Sequence, residues 1–382
     1  MSADRLLFVD DDPAICSLVA EIAQNCDYQV ITVSAGKAFK EAYTDFSPSL
    51  VMLDLHLGSE DGVQLLRFLA HANCTSPVVI LSGYDDKILT TAMLLGESYG
   101  LKIVATLRKP FKLNQLSELL NTYKSAAVSM NLDDLSKAIK DNQFILHYQP
   151  QINLIDQKIM GVEALVRWQS SPNNLVYPDD FIPEIENSEL IKPLTENIIR
   201  MALKQLSDWI TSGIDLKISI NISPKYLDNL EIPEYFEELA KEFNIKHDRI
   251  YWEITETAIM DEPKLIMDIL TRLRLKNFNL SMDDFGTGYA SMFALHQMPF
   301  NQIKIDKSFI FKVDKDPSLE ILTRHMLSLF RELKIESVAE GIENELTLLP
   351  LQKHRCDIGQ GYYFSKPIPP EDIVKWFKNR KR

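Results

Sequence analysis

The sequence predicts two α/β domains in tandem, a doubly wound parallel sheet followed by a closed α/β barrel. Apolar runs alternate with amphipathic helical stretches through residues 1–120, and the alternation lapses around residues 124–130. It restarts at Phe144 and continues for about 240 residues, a length typical of a closed barrel. We therefore expect a first domain at residues 1–120, a linker at 121–130 and a second domain at 131–382.

The first domain contains five short apolar runs, each long enough for one strand of a parallel sheet. The runs are Leu6–Val9, Gln29–Val33, Leu50–Leu53, Val78–Leu81 and Ile103–Leu107. Helical patterns such as Pro13–Gln24 and Gly62–Ala72 lie between them. This alternation predicts a doubly wound (βα)5 fold, in which functional groups collect at the carboxyl ends of the strands.

The second domain contains eight strand candidates, most of them separated by helical patterns. The candidates are Phe144–Ile152, Ile159–Arg167, Leu216–Ile222, Ile250–Thr255, Leu280–Phe285, Gln302–Asp306, Ser337–Ile342 and Ile358–Phe364. The segment between the first two is too short for a crossover helix, and Asp156–Gln157 is typical of a hairpin turn. We therefore expect the first pair of strands to be antiparallel.

Composition limits the classes of protein that fit this sequence. Hydrophobic residues make up 46% and charged residues 25%, which is ordinary for a soluble globular protein. The net charge of −13 leaves no broad basic surface, so we expect no direct DNA binding. No apolar run is long enough for a membrane span, and we expect no signal peptide. The four scattered cysteines lack metal-binding spacing, which favours a reducing, cytoplasmic location.

Seven predicted strands of the second domain place polar residues late in their apolar runs. These residues are Glu163, Asn221, Glu253, Asp283, Asp284, Lys304, Glu340 and Gln360. The carboxyl ends of barrel strands share one rim, so these side chains are expected to converge there. Burial of unpaired carboxylates in the core would be costly. The aromatic pairs Tyr251-Trp252 and Tyr362-Tyr363 lie beside rim residues and are expected to pack in the core or the barrel wall.

The rim residues suit metal-dependent hydrolysis of a phosphodiester. Oxygen ligands for Mg²⁺ or Mn²⁺ are offered by Glu163, Asn221, Glu253 and Asp283. Asp284 could complete a second ion, and two ions would activate water for in-line attack. Lys304 would place positive charge near that water, and Asp284 could accept its proton. Glu340 and Gln360 would hold the water or the metal.

Each of these residues also has a purely structural explanation. A single Glu or Asn at a strand end often caps a loop, and Lys304 alone could form an ion pair at the barrel mouth. Asp306 could cap the following turn. The run Asp283–Gly288 contains two glycines and could be only a tight turn. These explanations weaken because all the polar groups fall at one end of one predicted barrel.

The second half of the sequence resembles EAL domains, the cyclic di-GMP phosphodiesterases named for their Glu-Ala-Leu motif. The matching segments are Tyr148–Gln151, Glu163–Trp168, Asn221–Ser223, Glu253–Glu256, Asp283–Tyr289, Ile303–Asp306, Ala339–Gly341, Gln360–Tyr362 and Phe364–Pro367. The resemblance extends over roughly residues 132–378. One such motif would be weak evidence, but the ordered series is highly specific.

The resemblance implies a modified TIM (β/α)8 barrel with an antiparallel first strand, which hydrolyses cyclic di-GMP to linear pGpG. It implies two divalent ions, Mg²⁺ or Mn²⁺, whose ligands are Glu163, Asn221, Glu253, Asp283 and, on the second ion, Asp284. No position of this set is lost, which disfavours the alternative of a cyclic di-GMP-binding effector without turnover. A scaffold that acts through protein contacts alone is the third hypothesis.

The resemblance also implies roles for residues around the metal ligands. Positions near the activated water are matched by Lys304, Glu340 and Gln360. Positions that contact substrate are matched by Gln149, Leu165 and Arg167, of which the arginine is well suited to a phosphate. Glu256 matches a residue that steadies the loop after Asp284 and links dimerisation to activity. A homodimer or higher homo-oligomer is therefore expected.

The predicted strand ends of the first domain carry a second polar cluster, formed by Asp10, Asp11, Asp54, Ser82 and Lys109. Carboxylates, a hydroxyl and a lysine at one edge of a sheet suit one Mg²⁺ and a phosphoryl group. Asp54 would form an acyl phosphate, Lys109 would offset its charge and Ser82 would donate a hydrogen bond. Taken singly, Asp10 and Asp11 could belong to a helix cap, and Asp54 could form a turn.

Residues 5–120 resemble the receiver domain of two-component response regulators, with Asp54 at the phosphoacceptor position. The resemblance implies a sensor histidine kinase or phosphotransfer protein as partner, and control of the second domain by phosphorylation of Asp54. Two positions depart from the pattern: Gly58 replaces a frequent proline, and Thr106 replaces a switching aromatic residue. The order of domains resembles RocR-type regulators, and the sign of regulation is left open.

Overall fold

The computed structural model describes residues 4–58, 60–83, 86–123, 132–171, 174–186, 188–256, 263–287, 295 and 297–380. The chain divides into two compact units, Met1–Ser129 and Met130–Arg382. The linker prediction at 121–130 falls mostly on residues 124–130, which lie outside the described residues. Among the described helices, none is both long enough and apolar enough to cross a membrane.

The first unit is the predicted doubly wound sheet. Its strands are β1 (Arg5–Val9), β2 (Gln29–Val33), β3 (Leu50–Asp54), β4 (His56–Leu57), β5 (Glu60–Asp61), β6 (Val78–Ser82) and β7 (Ile103–Arg108). The five longer strands are parallel, in the order β2-β1-β3-β6-β7, so the prediction is confirmed. The two-residue strands β4 and β5 form a separate antiparallel ribbon, which is too short to leave a pattern in the sequence.

Helices connect the strands of the first unit. They are α1 (Pro13–Asn25), α2 (Gly36–Phe46), α3 (Gly62–His71), α4 (Asp86–Ser98) and α5 (Leu113–Tyr123). Every residue of β3 and β6 is buried, as expected for central strands of a parallel sheet covered on both faces. Helix α1 begins where the Asp12 carboxylate accepts a hydrogen bond from the backbone N–H of Ala14. The carboxyl edge of the sheet therefore leads directly into a capped helix.

The second unit is a closed barrel of eight strands with one short strand, β10, added beside β9. Its strands are β8 (Phe144–Asn153), β9 (Ile159–Ser171), β10 (Asn174–Val176), β11 (Lys217–Asn221), β12 (Ile250–Thr255), β13 (Asn279–Phe285), β14 (Gln302–Ile305), β15 (Glu336–Ala339) and β16 (Ile358–Gly359). Strand β8 is antiparallel to both of its neighbours, β9 and β16, and the other neighbouring strands of the barrel are parallel. The predicted TIM-like barrel with an antiparallel first strand is confirmed.

The barrel is surrounded by helices, and its apolar core lies between strands and helices. The helices are α6 (Leu132–Lys140), α7 (Pro178–Glu186), α8 (Ile191–Thr211), α9 (Ile232–Glu242), α10 (Pro263–Leu275), α11 (Lys307–Ile310), α12 (Pro317–Glu332), α13 (Glu345–Lys353) and α14 (Pro370–Arg380). The fully buried ring of Trp252 lies 4.0 Å from the ring centre of Phe236 and 5.8 Å from that of Phe278. Apolar packing outside the strands leaves their inward faces free to carry polar groups.

Three strands near the end of the barrel are shorter than predicted. Strand β14 ends at Ile305 because Asp306 caps α11, its carboxylate accepting from the backbone N–H of Ser308 at 2.9 Å. This outcome confirms the structural explanation for Asp306. Strand β15 ends at Ala339 rather than Ile342. Strand β16 ends at Gly359 because the chain then turns, with the backbone N–H of Phe364 donating to the carbonyl of Gly361.

Candidate active site

The predicted rim residues of the second unit converge around the ammonium of Lys304. Nζ of Lys304 lies 2.8 Å from Glu340 Oε1, 2.9 Å from Glu253 Oε2, 3.1 Å from Asp283 Oδ1 and 3.4 Å from Glu163 Oε1. Lys304 is only 1% exposed, so these interactions are shielded from solvent. Within the described part of the chain, the structure therefore brings together, from β9, from β12 to β14 and from the residue that follows β15, four carboxylates around the ammonium of Lys304.

Negative charge is in excess in this cluster, because four carboxylates face one ammonium. Burial alone would lower the pKa of Lys304, but the surrounding carboxylates raise it well above its usual value. Burial and repulsion between carboxylates raise the pKa values of Glu253 and Asp283, and raise that of Glu340 to about 8. Additional positive charge would relieve this repulsion, as a bound divalent cation does.

The carboxylate oxygens form two overlapping groups that fit divalent cations. The first group consists of Glu163, Glu253 and Asp283, and the second of Asp283, Asp284 and Glu340. In each group, one carboxylate oxygen from every residue lies within 4.8 Å of the others. Asp283 belongs to both groups, as a ligand shared by two ions would. Oε1 of Glu253 is buried and has no hydrogen-bond partner among the described residues. An all-oxygen donor set suits Mg²⁺ or Mn²⁺.

Two amides fix the carboxylate of Glu163. Nδ2 of Asn221 donates to Oε1 at 2.8 Å, and Nε2 of Gln360 donates to Oε2 at 2.5 Å. Burial raises the pKa of Glu163, but the charge of Lys304 and the two amide hydrogen bonds outweigh it and lower that pKa overall. Glu163 is thus held in its ionised form, with both of its oxygens oriented by neighbours.

The turn after Asp283 depends on Glu256 and on a glycine. Oε2 of Glu256 accepts a hydrogen bond from the backbone N–H of Gly286 at 2.7 Å. Asp284 has a φ of 54°, which is uncommon for a residue with a side chain, and burial beside Asp283 raises its pKa to about 6. Gly286 has a φ of 101°, and a Cβ added there would lie 2.5 Å from the ring of Phe309. The last part of this motif, Gly288-Tyr289, lies outside the described residues.

Two of the residues expected to contact substrate are held in position by contacts with different side chains. Oε1 of Gln149 accepts from Gln360 Nε2 at 2.9 Å, which joins Gln149 to the carboxylate cluster. The guanidinium carbon of Arg167 lies 5.0 Å from the ring centre of Tyr177, and its Nη1 donates to the carbonyl of Val166 at 2.7 Å. Burial lowers the pKa of Arg167. The pKa of an arginine is ordinarily so high that the side chain still stays charged. Leu165 is half-buried.

One polar residue of this site had no predicted role, and two aromatic residues lie elsewhere than predicted. Gln151 is 4% exposed, and its Nε2 donates to Gln360 Oε1 at 3.1 Å. The period-two alternation of β8 puts Gln151 on the same face as Gln149 and could have identified it. The packing predicted for Tyr362 and Tyr363 is wrong, since they are 58% and 44% exposed. They follow the turn at Gly361, which leaves the barrel wall.

The first unit assembles its predicted polar cluster at the carboxyl edge of the sheet. Nζ of Lys109 donates to Asp10 Oδ2 at 2.5 Å and to Asp54 Oδ2 at 2.7 Å. Oδ1 of Asp54 is buried without a hydrogen-bond partner in the described part of the chain. Oxygens of Asp10, Asp11 and Asp54 lie within 4.8 Å of one another, beside a cavity of about 380 Å³. Ser82 is fully buried at the end of β6. The arrangement fits one Mg²⁺ and a phosphoryl group.

The two departures from the receiver pattern have a structural setting. Gly58 has a φ of 62°, whereas a proline ring holds φ at about −65°. Its loop therefore has a conformation that proline could not adopt. Thr106 is exposed on β7. The residue that replaces the switching aromatic side chain thus lies on the surface of the first unit.

One unit is a parallel sheet with an acidic cluster at its carboxyl edge, and the other is a barrel with a carboxylate cluster that fits divalent cations. This is the organisation of a response regulator with an output domain. Residues 132–367 match the EAL domain family, and residues 6–121 match the response regulator receiver domain family. The chain belongs to the EAL domain family and carries a receiver domain before it.

Known relatives share one or both domains. The chain is 29% identical over 340 residues to the cyclic di-GMP phosphodiesterase RocR of Pseudomonas aeruginosa, a match that covers 86% of each protein. It is 36% identical over 243 residues to an uncharacterized signaling protein of Caulobacter vibrioides, covering 64% of this chain but only 30% of that relative. A solved structure of the PaMucR phosphodiesterase in complex with c-di-GMP is 30% identical, with a TM-score of 0.60, and matches 63% of this chain and 98% of that one.

Proposed function

We propose that the second unit hydrolyses cyclic di-GMP to linear pGpG, and that the first unit controls this activity through phosphorylation of Asp54. The pair of overlapping carboxylate groups that share Asp283 carries the proposal. It is supported by membership of the EAL domain family and by relatives that are named cyclic di-GMP phosphodiesterases. Enzymes that use two divalent ions for phosphodiester hydrolysis need such a pair of ligand groups.

The cation ligands in this proposal are Glu163, Asn221, Glu253 and Asp283, with Asp284 on the second ion. Two Mg²⁺ or Mn²⁺ ions, when bound, supply Lewis acidity for the phosphodiester and for the attacking water. The donors fit that role, because a buried oxygen of Glu253 has no hydrogen-bond partner among the described residues and the cluster carries excess negative charge. Glu340, which faces Lys304 at 2.8 Å, belongs to the second group and would hold the water or the second ion.

The protein's own residues position the reacting groups. The Lys304 ammonium presents a fixed positive charge at the centre of the cluster, where it stabilises charge that develops on the phosphate. The carboxylate of Asp284 accepts the proton of the attacking water.

The substrate is contacted by Gln149, Leu165 and Arg167. The Tyr177 ring holds the Arg167 guanidinium toward a phosphate. Glu256 fixes the turn that carries Asp284 through its hydrogen bond to Gly286.

A hydrolysis assay with the full chain tests the proposed reaction. Purified protein with Mn²⁺ and cyclic di-GMP is expected to form pGpG, and Glu163→Gln is expected to abolish the product. Glu336→Gln is the matched control, because Glu336 lies at the start of β15, hydrogen-bonded to Gln302 and Tyr251 rather than to the cluster. Tight binding of cyclic di-GMP with no product would overturn the proposal in favour of a binding effector.

Regulation is proposed through the cluster of the first unit. Asp10, Asp11 and Asp54 would hold one Mg²⁺, and Lys109 and Ser82 would contact the phosphoryl group on Asp54. The phosphodonor in this proposal is a sensor histidine kinase or a phosphotransfer protein. A homodimer or higher homo-oligomer, a cytoplasmic location and the domain limits 1–120, 121–130 and 131–382 complete the proposal.

A further inference from the structure

One buried side chain next to the carboxylate cluster has a fixed hydrogen-bonding role but no role in the proposed reaction. Gln151 lies on β8, two residues after Gln149, so both side chains point to the same face of that strand. Its register partner on β9 is Gly161, which has no side chain. Gln151 therefore reaches past β9 toward β11, where its Nε2 lies 3.5 Å from Ser219 Oγ.

Gln151 occupies the acceptor end of the Gln360 amide, whose donor end serves both Glu163 and Gln149. Nε2 of Gln151 donates to Gln360 Oε1 at 3.1 Å, and Nε2 of Gln360 donates to Glu163 Oε2 at 2.5 Å. A glutamine amide has one acceptor end and one donor end, so occupation of the acceptor end by Gln151 directs the donor end toward the carboxylate. The reversed amide would place oxygen against the Glu163 carboxylate and one NH₂ group against another.

The orientation of Gln360 matters because Glu163 belongs to the first group of cation ligands. The hydrogen bond from Gln360 is made to an ionised carboxylate and is therefore stronger than one between neutral groups. Its loss would free Glu163 to rotate about its remaining partners, Asn221 and Lys304. We propose that Gln151 is a positioning residue, which orients Gln360 and, through it, holds Glu163 in the geometry that binds the divalent cation.

The test measures Mn²⁺ binding to the full chain by calorimetry, without cyclic di-GMP, in an Asp10→Asn background that removes the ligand group of the first unit. Gln151→Met keeps the length of the side chain and removes both hydrogen-bonding ends. It is expected to weaken Mn²⁺ affinity about tenfold, as changes behind metal ligands do. In a Gln360→Met background the same change is expected to have no effect, because the amide that Gln151 orients is gone.

Gln302→Met is the matched control. Gln302 is also a buried glutamine of a barrel strand, but its amide donates to Glu336 Oε2 at 2.8 Å. Its replacement is expected to leave Mn²⁺ affinity within about twofold and to act independently of Gln360. Wild-type affinity in Gln151→Met, or an equal loss with and without Gln360, would overturn the proposal.

A second variant covers the case in which Gln151→Met does not fold. Gln151→Glu keeps the volume but offers oxygens to Gln360, which favours the reversed amide and directs its oxygen to Glu163. Mn²⁺ affinity is then expected to fall by more than tenfold, and unchanged affinity in this folded variant would refute the role of Gln151.

The activity readout rests on the proposed function, whereas the metal readout does not. In the assay with cyclic di-GMP, Gln151→Met is expected to lower kcat, because Glu163 would no longer be held in a fixed orientation. A chain that binds Mn²⁺ but forms no pGpG would overturn the proposed function. The comparison of Mn²⁺ affinities would still decide whether Gln151 positions the site.

Discussion

Lys304 and Glu253 are joined by a hydrogen bond that uses only half of the glutamate. The ammonium donates to Oε2 at 2.9 Å, while Oε1 is buried and has no partner among the residues that the structure describes. The free oxygen of Glu253 is thus available to a cation, as the proposed function requires. That proposal gives the fixed ammonium and a bound metal ion separate roles, which can be tested separately.

Replacement of Lys304 by methionine should remove catalysis but not cation binding. Loss of a preorganised charge beside the reacting phosphate is expected to lower kcat by about 100-fold or more. Mn²⁺ binding should persist, because all the carboxylates remain. Lys217→Met is the control, since that ammonium lies 3.0 Å from the Tyr251 hydroxyl, outside the cluster. Near-wild-type turnover in Lys304→Met would contradict the assigned role.

The number of bound cations should follow the overlap between the two ligand groups. Asp283 is common to both groups, whereas Asp284 belongs to one. In an Asp10→Asn background, calorimetry should show two Mn²⁺ ions for the otherwise unchanged chain, one for Asp284→Asn and none for Asp283→Asn. Mn²⁺ at 100 times its dissociation constant should stabilise the folded protein by about 2.7 kcal/mol for each bound ion, and a chelator should reverse this. Equal stoichiometry in the two variants would rule out a shared ligand.

The order and direction of the strands were predictable, because they follow from local patterns in the sequence. The apolar runs place the strands, and the short Asp156–Gln157 turn predicts an antiparallel pair without any tertiary information. The rim residues were predictable for the same reason, since the carboxyl ends of parallel strands must converge. Hydrophobic periodicity thus accounts for the architecture and for which side chains meet.

Details that depend on tertiary contacts were not predictable. Tyr362 is exposed because the chain turns at Gly361, where an added Cβ would lie within 2.5 Å of the backbone of Ile342, which is distant in sequence. Glu340 was expected near the water or the metal, but its grouping with Asp283 and Asp284 rather than with Glu163 depends on distances in space. Gly288-Tyr289, which complete the motif after Asp284, lie outside the described residues.

The turn after Asp283 should be sensitive to its glycine and to Glu256. Gly286→Ala places a methyl group against Phe309 at a φ of 101°, so the turn must shift and move Asp284. We expect at least a tenfold loss of kcat with little change in the unfolding of the first unit. Glu256→Gln keeps an acceptor for the Gly286 N–H and should be milder than Glu256→Ala. Steady-state kinetics of the three variants checks this order, and equal activity of the two Glu256 variants would contradict it.

Phosphorylation of Asp54 should change turnover, and the effect should depend on that carboxylate alone. Oδ1 of Asp54 lacks a protein hydrogen-bond partner in the described residues, and Lys109 lies 2.7 Å from Oδ2, so a phosphoryl group on Oδ1 would meet a cation already in place. Acetyl phosphate with Mg²⁺ is expected to add one phosphoryl group, seen by mass spectrometry, and to alter kcat at least twofold.

Asp54→Asn should prevent both the mass increase and the change in rate. Asp12→Asn is the matched control, because Asp12 caps α1 through Ala14 N–H and asparagine is an equally good cap. It should respond to acetyl phosphate as the wild type does. A fully phosphorylated wild-type chain whose kcat and KM are unchanged would show that the receiver does not control hydrolysis. Since Thr106 is exposed in place of an aromatic residue, Thr106→Tyr then tests whether a larger response can be restored.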